Sequence, residues 1–308
     1  MFQKFKTALC LLKNNSSQIP FAIFRNISQC RISHIVSDRM YLKIMFKLAL
    51  NKKLNISNPQ TFNEKLQWLK LYDRKPLYTT IVDKYEVKEY IANIIGQEYI
   101  IPTLGIWDSV EEIELDKLPN QFVLKCTHDS GSIVICKDKS KLDFEATKKK
   151  LKKGLDRNLF WYGREWPYKD IKPRIIAEAY MEDFNAHELI DYKFMCFNGV
   201  VKCSFTCSER FTESGLKVTF FDKDWNVMPF ERHYPASKNP PKKPINYSKM
   251  LRFSKELSKG IPFVRVDFYE INGKLYFGEL TLYPGCGFEE FTPEEWDYKL
   301  GSWLELTK

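Results

Sequence analysis

The stretch that most constrains this chain is F-V-R-V-D-F-Y-E-I-N-G-K-L-Y-F-G-E-L-T-L-Y-P-G, residues 263–285. It reads as two apolar strands joined at Asn-Gly, yet Arg265, Asp267 and Glu279 stand inside them. Side chains alternate across a strand, so Arg265, Asp267 and Tyr269 share one face. Phe277, Glu279 and Thr281 share a face of the next strand. A charge in an apolar strand is costly unless it is paired or bound to metal. Two carboxylates on neighbouring strands, with a threonine hydroxyl beside one, suit the oxygen coordination of Mg2+. Arg265 could then clamp a phosphate oxygen. The alternative is an Arg–Asp salt bridge in a two-faced sheet, with Glu279 solvated.

Register decides whether the acids can meet. A two-residue type I′ loop at Asn272-Gly273 would pair Ile271 with Lys274. Asp267 would then face Gly278, and Glu279 would fall opposite Val266, on the wrong face. A shift of one residue flips the second strand. A three-residue loop or an equivalent bulge is therefore expected, although Asn-Gly normally favours the shorter turn.

A second constellation is F-V-L-K-C-T-H-D-S-G-S-I-V-I-C, residues 122–136. A strand delivers Lys125, a small polar loop with Gly131 follows, and a strand returns. Loop amides and a lysine are common equipment for phosphates. His128 lies in this loop, within reach of a phosphate or substrate. A plain hairpin with a surface lysine has the same pattern. Asp83-Lys84 at a helix start and R-I-I-A-E-A-Y-M-E-D, a strand leading into a hinge, carry little by themselves.

The bulk numbers bound the rest. With 308 residues, 44% hydrophobic and 15% aromatic, the chain can bury a core of two to three lobes and is not disordered. A net charge of +9 favours an anionic partner without choosing among nucleotide, nucleic acid, acidic polysaccharide and membrane face. The eight cysteines form no C-x-x-C pair, and none of the four histidines has a partner at zinc spacing. The cysteines, Cys203 and Cys207 included, read as reduced buried hydrophobes of a cytosolic protein. The N-terminal M-F-Q-K-F-K-T-A-L-C-L-L-K is too short in its apolar run for a signal peptide. It could form a weak interfacial helix, and an ordinary packed helix is the plainer reading. No run approaches the ~20 apolar residues of a membrane span.

Along the chain, residues 1–80 read as helical, with Thr61-x-x-Glu64 in the form of a capping box. Phe62, Leu66 and Leu69 mark one helical face, and Lys65, Trp68 and Lys70 another. A helix over residues 80–95 ends at Gly96. Strands are expected at 99–101, 121–125, 133–136 and 174–181, with a charged helix over 137–155. Residues 192–197 and 200–205 read as a hairpin around Asn198-Gly199. A Pro-rich loop, a helix over 247–259 and the terminal hairpin follow. This is an α+β pattern.

Taken in order, these segments resemble the ATP-grasp superfamily, and within it the TupA-like ATP-grasp proteins of bacterial surface-polysaccharide gene clusters. The residues carrying the resemblance are N-P-Q-T-F-N-E-K-L-Q-W-L-K-L-Y, V-D-K-Y-E-V-K, V-L-K-C-T-H-D-S-G-S, D-Y-K-F-M-C-F-N-G, V-R-V-D-F-Y and G-E-L-T-L-Y-P-G. The first and the last two are specific. The resemblance implies an ATP-grasp fold with mostly antiparallel sheets and a helical N-terminal region, divided at 1–80, 81–180 and 181–308. It implies ATP and Mg2+ as cofactors. Lys84 matches the first phosphate lysine. Lys125 matches the lysine ahead of a phosphate-covering loop at 127–132, which holds His128, Ser130, Gly131 and Ser132. Glu178, Tyr180 and Met181 match the adenine hinge, and Asp191 is similar to the ribose-binding acid. Asp267 and Glu279 match the metal ligands, and Arg265 the arginine near the transferred phosphate. Thr281 stands where such enzymes commonly have Asn.

The activity implied is ligation of a carboxylate to an amine through an acylphosphate, in the cytoplasm. The substrates would be an amino acid and a uronic-acid-type sugar or glycan intermediate. Nucleic acid is not an expected partner; weak membrane-surface association through the N-terminus is an open one. A glycosyltransferase of the same pathway would need a Gly-rich strand-to-helix fingerprint, which the chain lacks. A basic non-enzymatic nucleotide- or glycan-binding protein would not explain Asp267 and Glu279.

Overall fold

The computed structural model describes residues 34–184, 188–210 and 212–306. The expected N-terminal amphipathic patch, with Cys10 and Cys30, lies outside the described residues.

The described chain opens with α1 (Asp38–Leu50), α2 (Phe62–Tyr72), α3 (Pro76–Val82) and α4 (Glu86–Ile95). The capping box on α2 is present: Thr61 Oγ1 accepts from Glu64 N, and Glu64 Oε2 accepts from Thr61 N. The helix expected over 80–95 is two helices, broken at 83–85. Asp83 causes the break, because its Oδ1 takes the amides of Tyr85 and Glu86 at 2.7 and 3.0 Å, which favours a cap over a helix interior. Gly96 closes α4 at φ 115°, as expected.

A four-stranded antiparallel sheet follows. It comprises β1 (Thr103–Trp107), β2 (Phe122–Cys126), β3 (Val134–Cys136) and, after α5 (Phe144–Leu155) and α6 (Phe160–Gly163), β4 (Ile175–Ala179), in the order β1-β4-β2-β3. The strand expected at 99–101 is absent: Gln97–Tyr99 is a 3-10 turn and β1 begins after Pro102. Proline offers no ladder N–H, and Ile100 packs into the core at 6% exposure.

The second sheet has five antiparallel strands in the order β10-β9-β5-β6-β7. They are β5 (Asp191–Phe197), β6 (Val200–Ser208), β7 (Lys217–Phe221), β9 (Phe263–Ile271) and β10 (Lys274–Thr281). The β5–β6 hairpin turns at Asn198-Gly199 with φ 48° and 79°, the expected tight turn. β7 had no clear sequence signal. The short strand β8 (Glu231–Arg232) pairs with β11 (Phe291–Thr292); α7 (Tyr247–Leu257) and α8 (Glu295–Trp303) complete the elements.

The main core joins the back of the five-stranded sheet to α2, α3, α4, α7 and α8; the smaller sheet has its own core with α5. On the α2 face expected at Lys65, Trp68 and Lys70, the first two are half-buried and the third lies in the interior. Lys70 is 0% exposed, and its Nζ donates to the carbonyls of Gly163 and Cys286 at 2.8 and 2.7 Å. Gln67 Nε2 donates to Gly287 O at 2.8 Å, and Asn63 Nδ2 to Glu289 O at 2.9 Å. α2 thereby pegs the loop that follows β10. Among the described residues no helix is long and apolar enough to cross a membrane, and the cysteines there are free, with all but Cys286 buried.

Candidate active site

The terminal hairpin resolves the register conflict with a bulge. Its loop is the two-residue one: Asn272 and Gly273 have φ 50° and 74°, and Ile271 pairs with Lys274. Pairing runs regularly to Phe277↔Phe268, then resumes at Leu280↔Val266. Gly278 and Glu279 thus both lie against Asp267, and the extra residue returns Glu279 to the Asp267 face. The three-residue loop is not used, and the equivalent bulge is. Gly278 suits the bulge because a Cβ there would lie 3.1 Å from the carbonyl oxygen of Asp267 and 3.1 Å from Tyr269.

The bulge brings three charges together. Arg265 grips Asp267 with Nε and Nη2, both at 2.7 Å, and the same Nη2 reaches Glu279 Oε1 at 2.7 Å. Thr281 lies directly across from Arg265, its hydroxyl 3.5 Å from Glu279 Oε1. On the other flank Lys193 stands opposite Asp267 in the ladder and its Nζ bonds the Asp267 carboxylate. Sequence reasoning missed Lys193, although it shares a strand face with Asp191, two residues before it. Burial pushes the Glu279 carboxyl up, but Arg265, Lys193 and Lys84 outweigh it and hold it at about 2. Its side chain remains 46% open to the cleft.

That cleft runs between the two sheets. Lys84, Lys88, Lys125 and Glu178 line it from the N-terminal side, with Val87, Ile100 and Ile101; Tyr269, Phe277, Gly278 and Glu279 line it from the other. Four residues singled out from sequence, Lys84, Lys125, Glu178 and Glu279, therefore meet. Glu178 is 5% exposed and binds two lysines: Lys88 Nζ at 2.6 Å, and Lys125 Nζ. Burial raises the Glu178 carboxyl, and Lys125 with Lys88 more than reverse this. Lys88, one helical turn beyond Lys84, was also missed; burial lowers its ammonium. Lys84 is likewise lowered by burial, and its Nζ bonds the carbonyl of Asp129. Lysines thus outnumber carboxylates along the cleft, which favours a polyanion.

The loop at 127–132 is tied to Lys84 through backbone contacts, including Lys84 N to Thr127 O at 3.0 Å. Two of its predicted contact residues turn inward. His128 is 3% exposed with Nε2 3.1 Å from Arg157 O, and burial lowers its pKa. Ser132 accepts from Cys126 N at 2.9 Å and bonds Asp129. Ser130 and Gly131 are exposed, and Gly131 has φ 95°. Tyr180 and Met181 follow β4 and are half-buried, with the Tyr180 hydroxyl on Glu182 at 3.1 Å. Asp191 is 3% exposed, paired with Arg210 and opposite Tyr269. None of these last three lines the cleft.

The donor set is hard and oxygen-based: two carboxylates meeting at one guanidinium nitrogen, and a hydroxyl. No group of three His, Cys, Asp or Glu that could hold a metal ion occurs among the described residues. Such a set fits a Mg2+ that brings most of its ligands with it as phosphate oxygens and water.

Among solved structures, the chain is similar to D-alanine–D-alanine ligase from Helicobacter pylori (TM-score 0.40, 13% identity, 79% of this chain and 69% of that one covered). It is also similar to the Bacillus anthracis D-alanine–D-alanine ligase complexed with ATP (0.38, 16%, 66% and 55%). A third is the ATP-grasp ligase PsnB complexed with minimal precursor, Mg and ADP (0.38, 10%, 71% and 57%). The chain spans little more than half the length of the last two. No curated protein matches it. The family model described as TupA-like ATPgrasp matches residues 64–305, from α2 through the bulged hairpin to the end of α8 and just beyond, and the chain belongs to that TupA-like ATP-grasp family.

Proposed function

We propose that this protein is a Mg-ATP-dependent carboxylate–amine ligase that works through an acylphosphate. The observation that carries this reading is the meeting of Arg265, Asp267 and Glu279 on one sheet face at the mouth of a lysine-lined cleft. In the first step a carboxylate oxygen attacks the γ-phosphorus, the bond to the β–γ bridging oxygen breaks, and ADP leaves. In the second the amine nitrogen attacks the acyl carbon and loses a proton, and phosphate leaves. The protein's part is positioning and charge neutralisation.

Lys84 and Lys125 hold phosphate oxygens, and Arg265 neutralises the transferred phosphoryl group. Ser130 and Gly131 offer an open loop to cover it, with His128 and Ser132 shaping that loop from within. Glu178 fixes Lys88 and Lys125 at the cleft; Tyr180 and Met181, just past β4, are assigned to the adenine and Asp191 to the ribose, although in this structure Asp191 is buried against Arg210 and none of the three lines the cleft. Asp267, Glu279 and the Thr281 hydroxyl would hold Mg2+, which when bound supplies further charge neutralisation at the phosphates.

The substrates we assign are an amino acid and a uronic-acid-type sugar of a surface polysaccharide (capsule, O-antigen or teichuronopeptide), joined in the cytoplasm. The net charge of +9 supports an anionic glycan intermediate. The helical part at 1–80 and two ATP-grasp lobes at 81–180 and 181–308 are the proposed division. The test is ADP release with uronic acids paired with amino acids. The reading fails if no pair exceeds the Glu279→Gln background and MgATP gives no protection against thermal unfolding.

A further inference from the structure

One row of side chains crosses the five-stranded sheet from the bulge outward: Glu279, Asp267, Lys193, Phe205 and Phe220. Its first three members belong to the site described above. Its far end is covered by Arg232, from the two-residue strand β8. The Arg232 guanidinium lies 4.7 Å from the Phe205 ring centroid and 5.7 Å from that of Phe220. The Arg265 guanidinium lies 5.9 Å from the same Phe205 ring. A second arginine therefore sits beside the phosphoryl-facing one, on the same face of the sheet.

Arg232 is 7% exposed, and its buried Nε and Nη1 make no hydrogen bond. Its ion pair with Glu289, Nε to Oε2 at 2.9 Å, lacks hydrogen-bond alignment. A desolvated guanidinium with unused N–H groups is unusual, because buried polar groups normally find partners. Each unused N–H can donate a charge-assisted hydrogen bond to a carboxylate or phosphate oxygen. Glu289 keeps 25% of its side chain exposed, with its carboxyl end lying against Gly285.

We propose that Arg232 anchors an anionic oxygen group, a carboxylate or a phosphoryl group, on the substrate that meets the activated acyl group beside Arg265. The identity of that ligand as a substrate rests on the ligase reading; the anion site itself does not. The anchor fixes the end of the substrate remote from the reacting atoms, so it discriminates acids from their uncharged analogues.

The test is thermal unfolding of the whole protein with MgADP present, titrated with L-glutamate, D-glucuronate and inorganic phosphate. L-glutamine α-amide, which carries no carboxylate, is the control. Wild type should gain melting temperature with at least one anion and not with the control. Arg232→Gln should weaken that response at least tenfold, and Glu289→Gln, which removes the competing carboxylate, should strengthen it. A response to glutamate or glucuronate assigns the anchor to a carboxylate, and one to phosphate alone assigns it to a phosphoryl group. If Arg232→Gln fails to fold, the Glu289→Gln gain still decides. The proposal is overturned if no anion protects wild type, if protection survives in a folded Arg232→Gln, or if Glu289→Gln changes nothing. MgATP protection is measured separately, so failure of the ligase reading is seen on its own.

Discussion

Replacing Gly278 by alanine tests how the site is assembled. The added methyl carbon would stand 3.1 Å from the Asp267 carbonyl oxygen and 3.1 Å from a Tyr269 ring carbon. Ordinary contacts need a few tenths of an ångström more, and the bulge has backbone on one side and a ring on the other. Overpacking of this kind costs about 1–3 kcal/mol. For a chain of this size that lowers the melting temperature by roughly 2–6 °C. The larger effect is on the site, because the bulge holds Glu279 within 2.7 Å of Arg265 Nη2. A hydrogen bond to a charged group contributes about 1.5–3 kcal/mol, so loss of this geometry should weaken MgATP binding by roughly 10- to 100-fold. Calorimetric titration with MgATP measures it. Gly273→Ala is the control: its φ of 74° strains alanine by about 1 kcal/mol, yet nothing lies within 4 Å of the new carbon. It should cost stability and leave MgATP affinity intact. If Gly278→Ala binds MgATP like wild type with the same magnesium dependence, the bulge does not set the site.

Lys125→Ala should weaken ATP binding by more than tenfold while the protein stays folded; unchanged affinity by calorimetry removes the phosphate role. Asp267→Asn and Glu279→Gln should each abolish ATP turnover and alter its magnesium dependence, and wild-type turnover at low magnesium in both would end the metal assignment. The Glu279 carboxyl is held at about 2 in the folded protein against about 4.3 in an unfolded chain. Its contribution is thus complete above pH ~4.5 and is lost as pH falls toward 2. Urea midpoints at pH 5 and pH 3 should therefore fall less in Glu279→Gln than in wild type, and parallel slopes would contradict the depressed pKa. Lys70→Met would remove the lysine donor from the Gly163 and Cys286 carbonyls, leaving Cys286 O only Gln67 Nε2 at 3.1 Å, and should destabilise by roughly 2 kcal/mol, read as a drop in melting temperature.

Much of this was legible because strand alternation and turn chemistry act locally. Asp267 and Glu279 were visible as charges no apolar strand would carry idly, and the conflict between Asn-Gly and a shared face called for a three-residue loop or an equivalent bulge, of which the chain uses the bulge. The capping box at Thr61 and the turn at Asn198-Gly199 rest on similarly short-range rules. What escaped the sequence depends on tertiary partners. Lys88 and Lys193 look like surface lysines until Glu178 and Asp267 are placed beside them. Lys70 belonged to a polar face on helical periodicity alone, and only the carbonyls of distant loops make it a core residue. His128 was a candidate contact on its loop position, yet the carbonyl of Arg157 draws it inward. The strand expected at 99–101 failed because burial of Ile100 and the missing amide of Pro102 outweighed β propensity.

The peg formed by α2 has a consequence for the order in which the chain can assemble. Gln67 and Lys70 hold carbonyls more than 200 positions further along, so this contact closes one of the longest loops in the chain. Long-range closures are made late and slow a folding reaction. During synthesis an early helix with a lysine and a glutamine on its inner side must wait for the last stretch of sequence to emerge. Until then Gln67 and Lys70 stay hydrated beside the apolar stripe of Phe62, Leu66 and Leu69. Completion of the loop after β10 then desolvates those polar groups against its carbonyls, so that loop is fixed only after β10 has formed.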